Sequence, residues 1–175
     1  MRVAFSGTHR VGKSTLLDAV SEHLPSYATV PEPYELLVED GHDFCDPPTA
    51  DDFELQLARS IELVEDDPRK DILFDRCPID FLAYLGATDD DLSMAGGVDD
   101  IRAALATLDL IVFVPIEEPD RVDVPDADDR RLRRTVHETL QELLVDDPHA
   151  LGVPVLEVSG SLDARVREVL AAVRR

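Results

Sequence analysis

The sequence predicts an α/β chain in three layers, with a five-stranded parallel sheet covered by helices on both faces. Two observations carry this reading. Five short apolar runs recur along the 175 residues, and helical periodicity separates each from the next. The runs are Val- and Leu-rich rather than cleanly alternating, as strands buried on both faces must be. The length suits one domain, 1–175, which buries enough surface to need no disulfide framework.

The elements follow in order. Arg2–Ser6 is the first strand, and a glycine turn leads into a helix over Lys13–Leu24 that stops before Pro25. Tyr27–Val30 is the second strand, ending at Pro31-Glu32-Pro33. Thr49 is placed to cap a helix whose apolar stripe is Phe53, Leu57, Ile61 and Val64. Ile72–Phe74 forms the third strand and Ile79–Leu85 a short helix after it. The acidic, glycine-bearing segment Thr88–Asp100 reads as an exposed loop. Leu110–Val114 is the fourth strand, and Leu132, Val136, Leu140, Leu143 and Leu144 mark the next helix. Val153–Val158 is the fifth strand, followed by a closing helix over Leu162–Val173.

Charge excludes several functions. Seventeen basic and 38 acidic residues give a net charge of -21, which repels nucleic-acid backbones and anionic lipid. No apolar run is long enough to span a membrane, and Arg2–Phe5 leads into the glycine turn without a signal-peptide pattern. A cytoplasmic location is expected. The acids fall in doublets and triplets along the whole chain, and only Lys13 and Lys70 are lysine. That pattern suits a salt-accumulating, halophilic source in which screening tolerates self-repulsion. Cys45 and Cys77 have no metal-ligand spacing and read as reduced thiols.

In parallel sheets ligands bind beyond the carboxyl ends of the strands, so those ends hold the chemistry. Gly7-Thr8-His9-Arg10-Val11-Gly12-Lys13-Ser14 matches G-x-x-x-x-G-K-[ST] between a strand and a helix. Backbone N–H groups from Gly7 to Thr15 can wrap a phosphate at the helix N-terminus. Lys13 would neutralise the transferred phosphate and Ser14 would hold Mg²⁺. The architecture is therefore that of a three-layer P-loop NTPase. Asp75, ending the third strand, is the second metal-side residue. Arg76 follows it where motor ATPases place a water-activating glutamate, and an arginine suits gripping phosphates or an acceptor. Glu32, fixed between two prolines, can take a proton from an attacking hydroxyl. Arg121 and the run Asp128–Arg134 hold five of the fifteen arginines. Arg130, Arg133 and Arg134 share a helical face, giving an arginine-bearing lid over about 117–134. Such arginines, with Arg130 and Arg134 as the catalytic candidates, stabilise the charge of phosphoryl transfer.

Together these residues resemble the nucleoside and nucleotide kinase group of P-loop proteins. Closest are the small AAA-like ATPase/kinase domains typified by bacterial ribosylnicotinamide kinase, and the deoxynucleoside kinases. The resemblance implies a central P-loop strand, Mg-ATP as donor and a hydroxyl or phosphate acceptor. Glu32-Pro33 matches the start of the Glu-Pro-x-x-x-Trp segment that supplies the base in deoxynucleoside kinases, with Leu37 in the tryptophan's place. Asp75-Arg76 matches their aspartate-arginine-serine motif, with Cys77 in the serine's place. Gln56, on a face with Arg59 and Ser60, resembles their base-reading glutamine. By the same analogy Ser159 and Gly160 pass near the adenine.

Three functions stay open at this level. The first is a kinase for the hydroxyl of a nucleoside or nucleotide-like acceptor. The second is a nucleoside monophosphate kinase, in which Arg76 binds the acceptor phosphate. The third is an ATP-binding regulatory or ATPase module without a small-molecule acceptor.

Overall fold

The structure, a computed structural model, describes residues 1–88, 98–117, 120, 122, 124, 126–146 and 151–174. Its strands are β1 (Arg2–Ser6), β2 (Ala28–Val30), β3 (Ile72–Asp75), β4 (Leu110–Phe113) and β5 (Val155–Glu157). They form one parallel sheet in the order β2-β3-β1-β4-β5, with the phosphate-loop strand in the centre. The helices are α1 (Lys13–Ser21), α2 (Pro33–Glu39), α3 (Ala50–Asp66), α4 (Pro78–Thr88), α5 (Val98–Leu105), α6 (Ala127–Gln141) and α7 (Leu162–Val173). A π-helical turn, Glu142–Asp146, extends α6.

Period-two alternation builds two cores from the same strands. Val3, Phe5, Leu73, Leu110 and Val112 join Leu16, Val20, Val166 and Val169, under α1 and α7. Ala4, Ile72, Phe74, Ile111 and Phe113 face the opposite way and pack with residues of α3, α4, α5 and α6. The expected three layers are thus present. Among the described residues no helix is long and apolar enough to cross a membrane.

Three segments differ from the sequence expectation. Pro33–Glu39 is helical, because Pro33 at the first turn presets the backbone and lacks an N–H that would go unpaired there anyway. Within the segment read as a loop, Thr88 ends α4 and Val98 opens α5, which buries Ile101, Ala104 and Leu105. Residues 89–97 lie outside the described residues. The first helix ends at Ser21 rather than Leu24. Thr49 caps α3 as expected, in a capping box with Asp52.

Candidate active site

The phosphate loop is shaped by backbone crowding. Gly7 has φ +146°, and a Cβ there would lie 2.5 Å from the Val114 carbonyl oxygen of the chain leaving β4. Gly12, at φ +86°, opens α1 from the left-handed region. Lys13 is buried inside the loop, and its Nζ donates to the Thr8 carbonyl at 2.8 Å. Burial, reinforced by the Arg76 charge, pushes Lys13 down to about 7, against the pull of Asp80, Asp75 and Glu32. A phosphate arriving in the loop supplies the anion this ammonium lacks.

The residues expected on the metal side are Ser14 and Asp75. Asp75 ends β3 beside Phe5 of β1 and is buried. Burial raises its pKa, while a hydrogen bond from the Ser14 hydroxyl and the charges of Lys13 and Arg76 work in the opposite direction. Its Oδ1 is buried without a hydrogen-bond partner. A buried carboxylate oxygen with nothing to accept from, next to a hydroxyl, is the hard-oxygen donor set that Mg²⁺ takes while keeping several waters. These residues fit the ion.

Glu32 and Arg76 meet because β2 and β3 are neighbours in the sheet. Arg76 Nε donates to Glu32 Oε2 at 2.8 Å, and Nη1 donates to the Gly7 carbonyl at 3.2 Å. Asp80 Oδ1 lies 3.6 Å from the same Nη1. Arg76 adopts φ +76°, a conformation costing about 1–3 kcal/mol for a residue with a Cβ. Its guanidinium lies over the rings of Phe81 and Tyr84, at 5.9 and 5.3 Å. Against the lowering effect of burial, Tyr84, Asp80 and Glu32 hold its pKa above the usual range. Asp80, fully buried, accepts the Gly7 N–H at 2.9 Å and the Cys77 N–H at 3.0 Å. It ties the phosphate loop to the start of α4.

Helix α6 contacts the phosphate loop at His9 and Arg10. Arg133, buried, donates from Nε to the His9 carbonyl at 3.1 Å and pairs with Asp120. Asp129 approaches His9 Nε2 at 2.7 Å and Arg10 at 3.5 Å. Burial lowers His9 to about 4 against the pull of Asp129, so the ring is neutral. On the other flank Arg165 donates to the Val11 and Gly160 carbonyls and to Glu117, at 3.3, 3.0 and 2.7 Å.

The expected residues Gly7–Thr15, Glu32, Asp75 and Arg76 thus converge at the ends of β1, β2 and β3. The arginine of α6 set on the loop is Arg133. Arg130 donates to the Val124 carbonyl, and Arg130 and Arg134 line a cavity of about 610 Å³ with Arg131, His137 and Gln141. Arg121 lies outside the described residues. Ser159 and Gly160 line an adjoining cavity of about 440 Å³ with Glu117 and His137. Gln56 is buried, and its amide donates to Asp52 O one turn back at 3.0 Å. Sequence reasoning missed Asp80, Tyr84, Glu117 and Arg165. For Asp80 a signal existed, since Cys77-Pro78-Ile79-Asp80 has the spacing of a capping box.

A family model described as an AAA domain matches residues 2–165. No curated protein matches the chain in sequence. Deoxyadenosine kinase from M. mycoides with bound dATP is similar over 100% of both chains, with TM-score 0.72 and 14% identity. Thymidylate kinase from Candida albicans is similar over 98% of this chain and 90% of its own, with TM-score 0.63 and 17% identity. NadR protein in complex with NR matches 98% of this chain but 49% of its own length, with TM-score 0.67 and 18% identity. The chain belongs to the AAA-domain family of P-loop proteins and has the fold of the nucleoside and nucleotide kinases.

Proposed function

We propose that the chain is an ATP-dependent small-molecule kinase that transfers the γ-phosphate to a hydroxyl of a nucleoside or nucleotide-like acceptor. The observation that carries this reading is the Glu32–Arg76 pair beside the phosphate loop. Arg76 is already neutralised by Glu32 and Asp80 and bound to Gly7 O. It is committed to holding a carboxylate, which favours a base at Glu32 over an acceptor-phosphate clamp at Arg76.

In this mechanism the phosphate loop and Lys13 hold the donor's phosphates, and Ser14 and Asp75 hold Mg²⁺. When bound, the ion neutralises charge on the phosphates. Glu32 accepts the proton of the acceptor hydroxyl as its oxygen bonds to the γ-phosphorus. The bond from that phosphorus to the β–γ bridging oxygen breaks, and ADP leaves. Arg130 and Arg134, on the helix that Arg133 fastens to the phosphate loop through His9 O, supply positive charge for the transferred group. The excess of acid supports a cytoplasmic, high-salt setting and disfavours nucleic-acid and membrane partners.

The test is ADP release from Mg-ATP in high-potassium buffer against nucleosides, nucleoside monophosphates and pyridine ribosides, with Glu32→Gln alongside. A nucleoside or riboside should stimulate release, and the variant should lose that stimulation. Stimulation by monophosphates alone, undiminished in the variant, replaces this reading with a monophosphate kinase.

A further inference from the structure

Tyr84 of α4 is buried at 5% exposure and serves three neighbours. Its hydroxyl accepts the His9 backbone N–H at 2.9 Å and lies 2.9 Å from His9 Nδ1. The phenol oxygen accepts the amide hydrogen, and in the tautomer with the ring hydrogen on Nε2 it also donates its own to Nδ1. In that tautomer the hydrogen sits on Nε2, which lies 2.7 Å from Asp129 of α6. The Tyr84 ring lies under the Arg76 guanidinium at 5.3 Å and stacks on Phe53 of α3 at 4.9 Å. Arg76 in turn holds Glu32.

We propose that Tyr84 is a positioning residue that locks the donor and acceptor halves of the site in register. Its hydroxyl fixes the phosphate-loop rim at His9, and through His9 the face that the lid meets. Its ring fixes the height and tilt of Arg76, and through Arg76 the carboxylate of Glu32. A tyrosine suits this role because two torsions, both immobilised by packing, set every one of these contacts. Phosphoryl transfer depends on alignment, and misplacement by about 1 Å costs on the order of 10²-fold in rate. The donor half stands on the contacts alone. The acceptor half rests on the reading of Glu32 as the base.

Two variants of the full chain separate the halves. Tyr84→Phe removes only the hydroxyl, and Tyr84→Leu removes the ring as well. Mg-ATP affinity is measured by calorimetry, acceptor-dependent ADP release by steady-state kinetics, and folding by thermal midpoint. The phenylalanine variant should bind Mg-ATP about threefold to tenfold more weakly and keep kcat within about twofold. The leucine variant should add a loss of about 10²-fold in kcat, which phenylalanine at the same position rescues. Wild-type Mg-ATP affinity in Tyr84→Phe overturns the proposal, and that readout stands even where Tyr84→Leu does not fold. Wild-type kcat in a folded Tyr84→Leu, or a lowered midpoint with unchanged kinetic constants in both variants, also overturns it. If the wild-type chain binds no Mg-ATP, the proposed function itself falls. If it binds and Tyr84→Phe matches it, only the role of Tyr84 falls.

Discussion

Arg76 Nε donates to Glu32 Oε2 at 2.8 Å across 44 residues of chain. Adjacent parallel strands bring the two ends together, and the left-handed backbone at Arg76 turns the guanidinium back across the phosphate loop. Glu32 is thereby held as a half-buried, oriented carboxylate rather than a free loop acid.

Glu32→Gln keeps the size and one acceptor oxygen for Arg76 but removes the base. Acceptor-dependent ADP release should fall by about 10²–10⁴, while Mg-ATP affinity stays within about threefold. Arg76→Lys should also lower kcat, because a point charge cannot hold Glu32 through Nε while meeting Gly7 O and Asp80. Full kcat in both variants would remove the pair from the chemistry.

Lys13 should report nucleotide binding through its proton. Without nucleotide it titrates near 7, lowered by burial from an ordinary value of 10.5. Between those values the folded chain holds fewer protons than the unfolded one, so this group makes stability rise with pH there. Below 7 the buried ammonium is at its most unfavourable. A bound phosphate favours the ammonium and raises its pKa. Calorimetry in two buffers of different ionisation enthalpy should show net proton uptake on Mg-ATP binding at pH 8, shrinking as the pH falls below 7. Lys13→Met should abolish both the uptake and the binding, and should raise the thermal midpoint of the nucleotide-free protein. Absence of uptake at pH 8 in the wild type would mean that Lys13 is already charged in the empty loop.

Asp75 makes the complementary prediction for the metal. Its pKa is raised by burial, so the ionised form is disfavoured in the empty site and contributes no stability above its folded pKa. Asp75→Asn should therefore leave the nucleotide-free thermal midpoint unchanged or higher. The Mg²⁺ concentration at half-maximal activity should rise by about 10–100-fold. An unchanged Mg²⁺ dependence would place the ion elsewhere.

The phosphate loop and the placing of Glu32 and Asp75-Arg76 at strand ends were legible because they rest on local chemistry, whereas the central position of the phosphate-loop strand was implied by the family resemblance. Gly7 and Gly12 are demanded by backbone geometry, and strand ends follow apolar runs. What stayed hidden depends on burial of charge. Arg133 shares its face with Arg130 and Arg134, and periodicity cannot say which of the three turns inward onto His9 O. Arg165 and Glu117 look like ordinary surface residues until α7 and the chain after β4 meet over Gly160. Helix α5 was obscured by Gly96-Gly97 and the surrounding aspartates, although Ile101, Ala104 and Leu105 form a buried stripe. Helix α2 goes unassigned from the sequence, since the second strand is ended at Pro31-Glu32-Pro33 and Pro33 is not seen there as a helix start.

Asp80 shows how much of the site rests on a residue whose only sequence signal is its spacing from Cys77. It is fully buried, and its two oxygens accept N–H groups from Gly7 and Cys77 while facing Arg76 and the Cys77 thiol, 3.6 Å away. Asp80→Ala strands two buried amides and leaves Arg76 with Glu32 as its remaining carboxylate contact in this cluster. Losing one partner of such a group costs about 3–5 kcal/mol, or roughly 6–20 °C in thermal midpoint for a chain of this size. Mg-ATP affinity should fall as well, since the Gly7 N–H loses its anchor and only its carbonyl stays tied, to Arg76. Cys77→Ser offers the contrast. A hydroxyl is a stronger donor than a thiol and fits the same space, so stability should stay within about 1 kcal/mol of wild type. An Asp80→Ala protein that melts and binds Mg-ATP like the wild type would show that the loop holds its shape through Gly7, Gly12 and Lys13 alone.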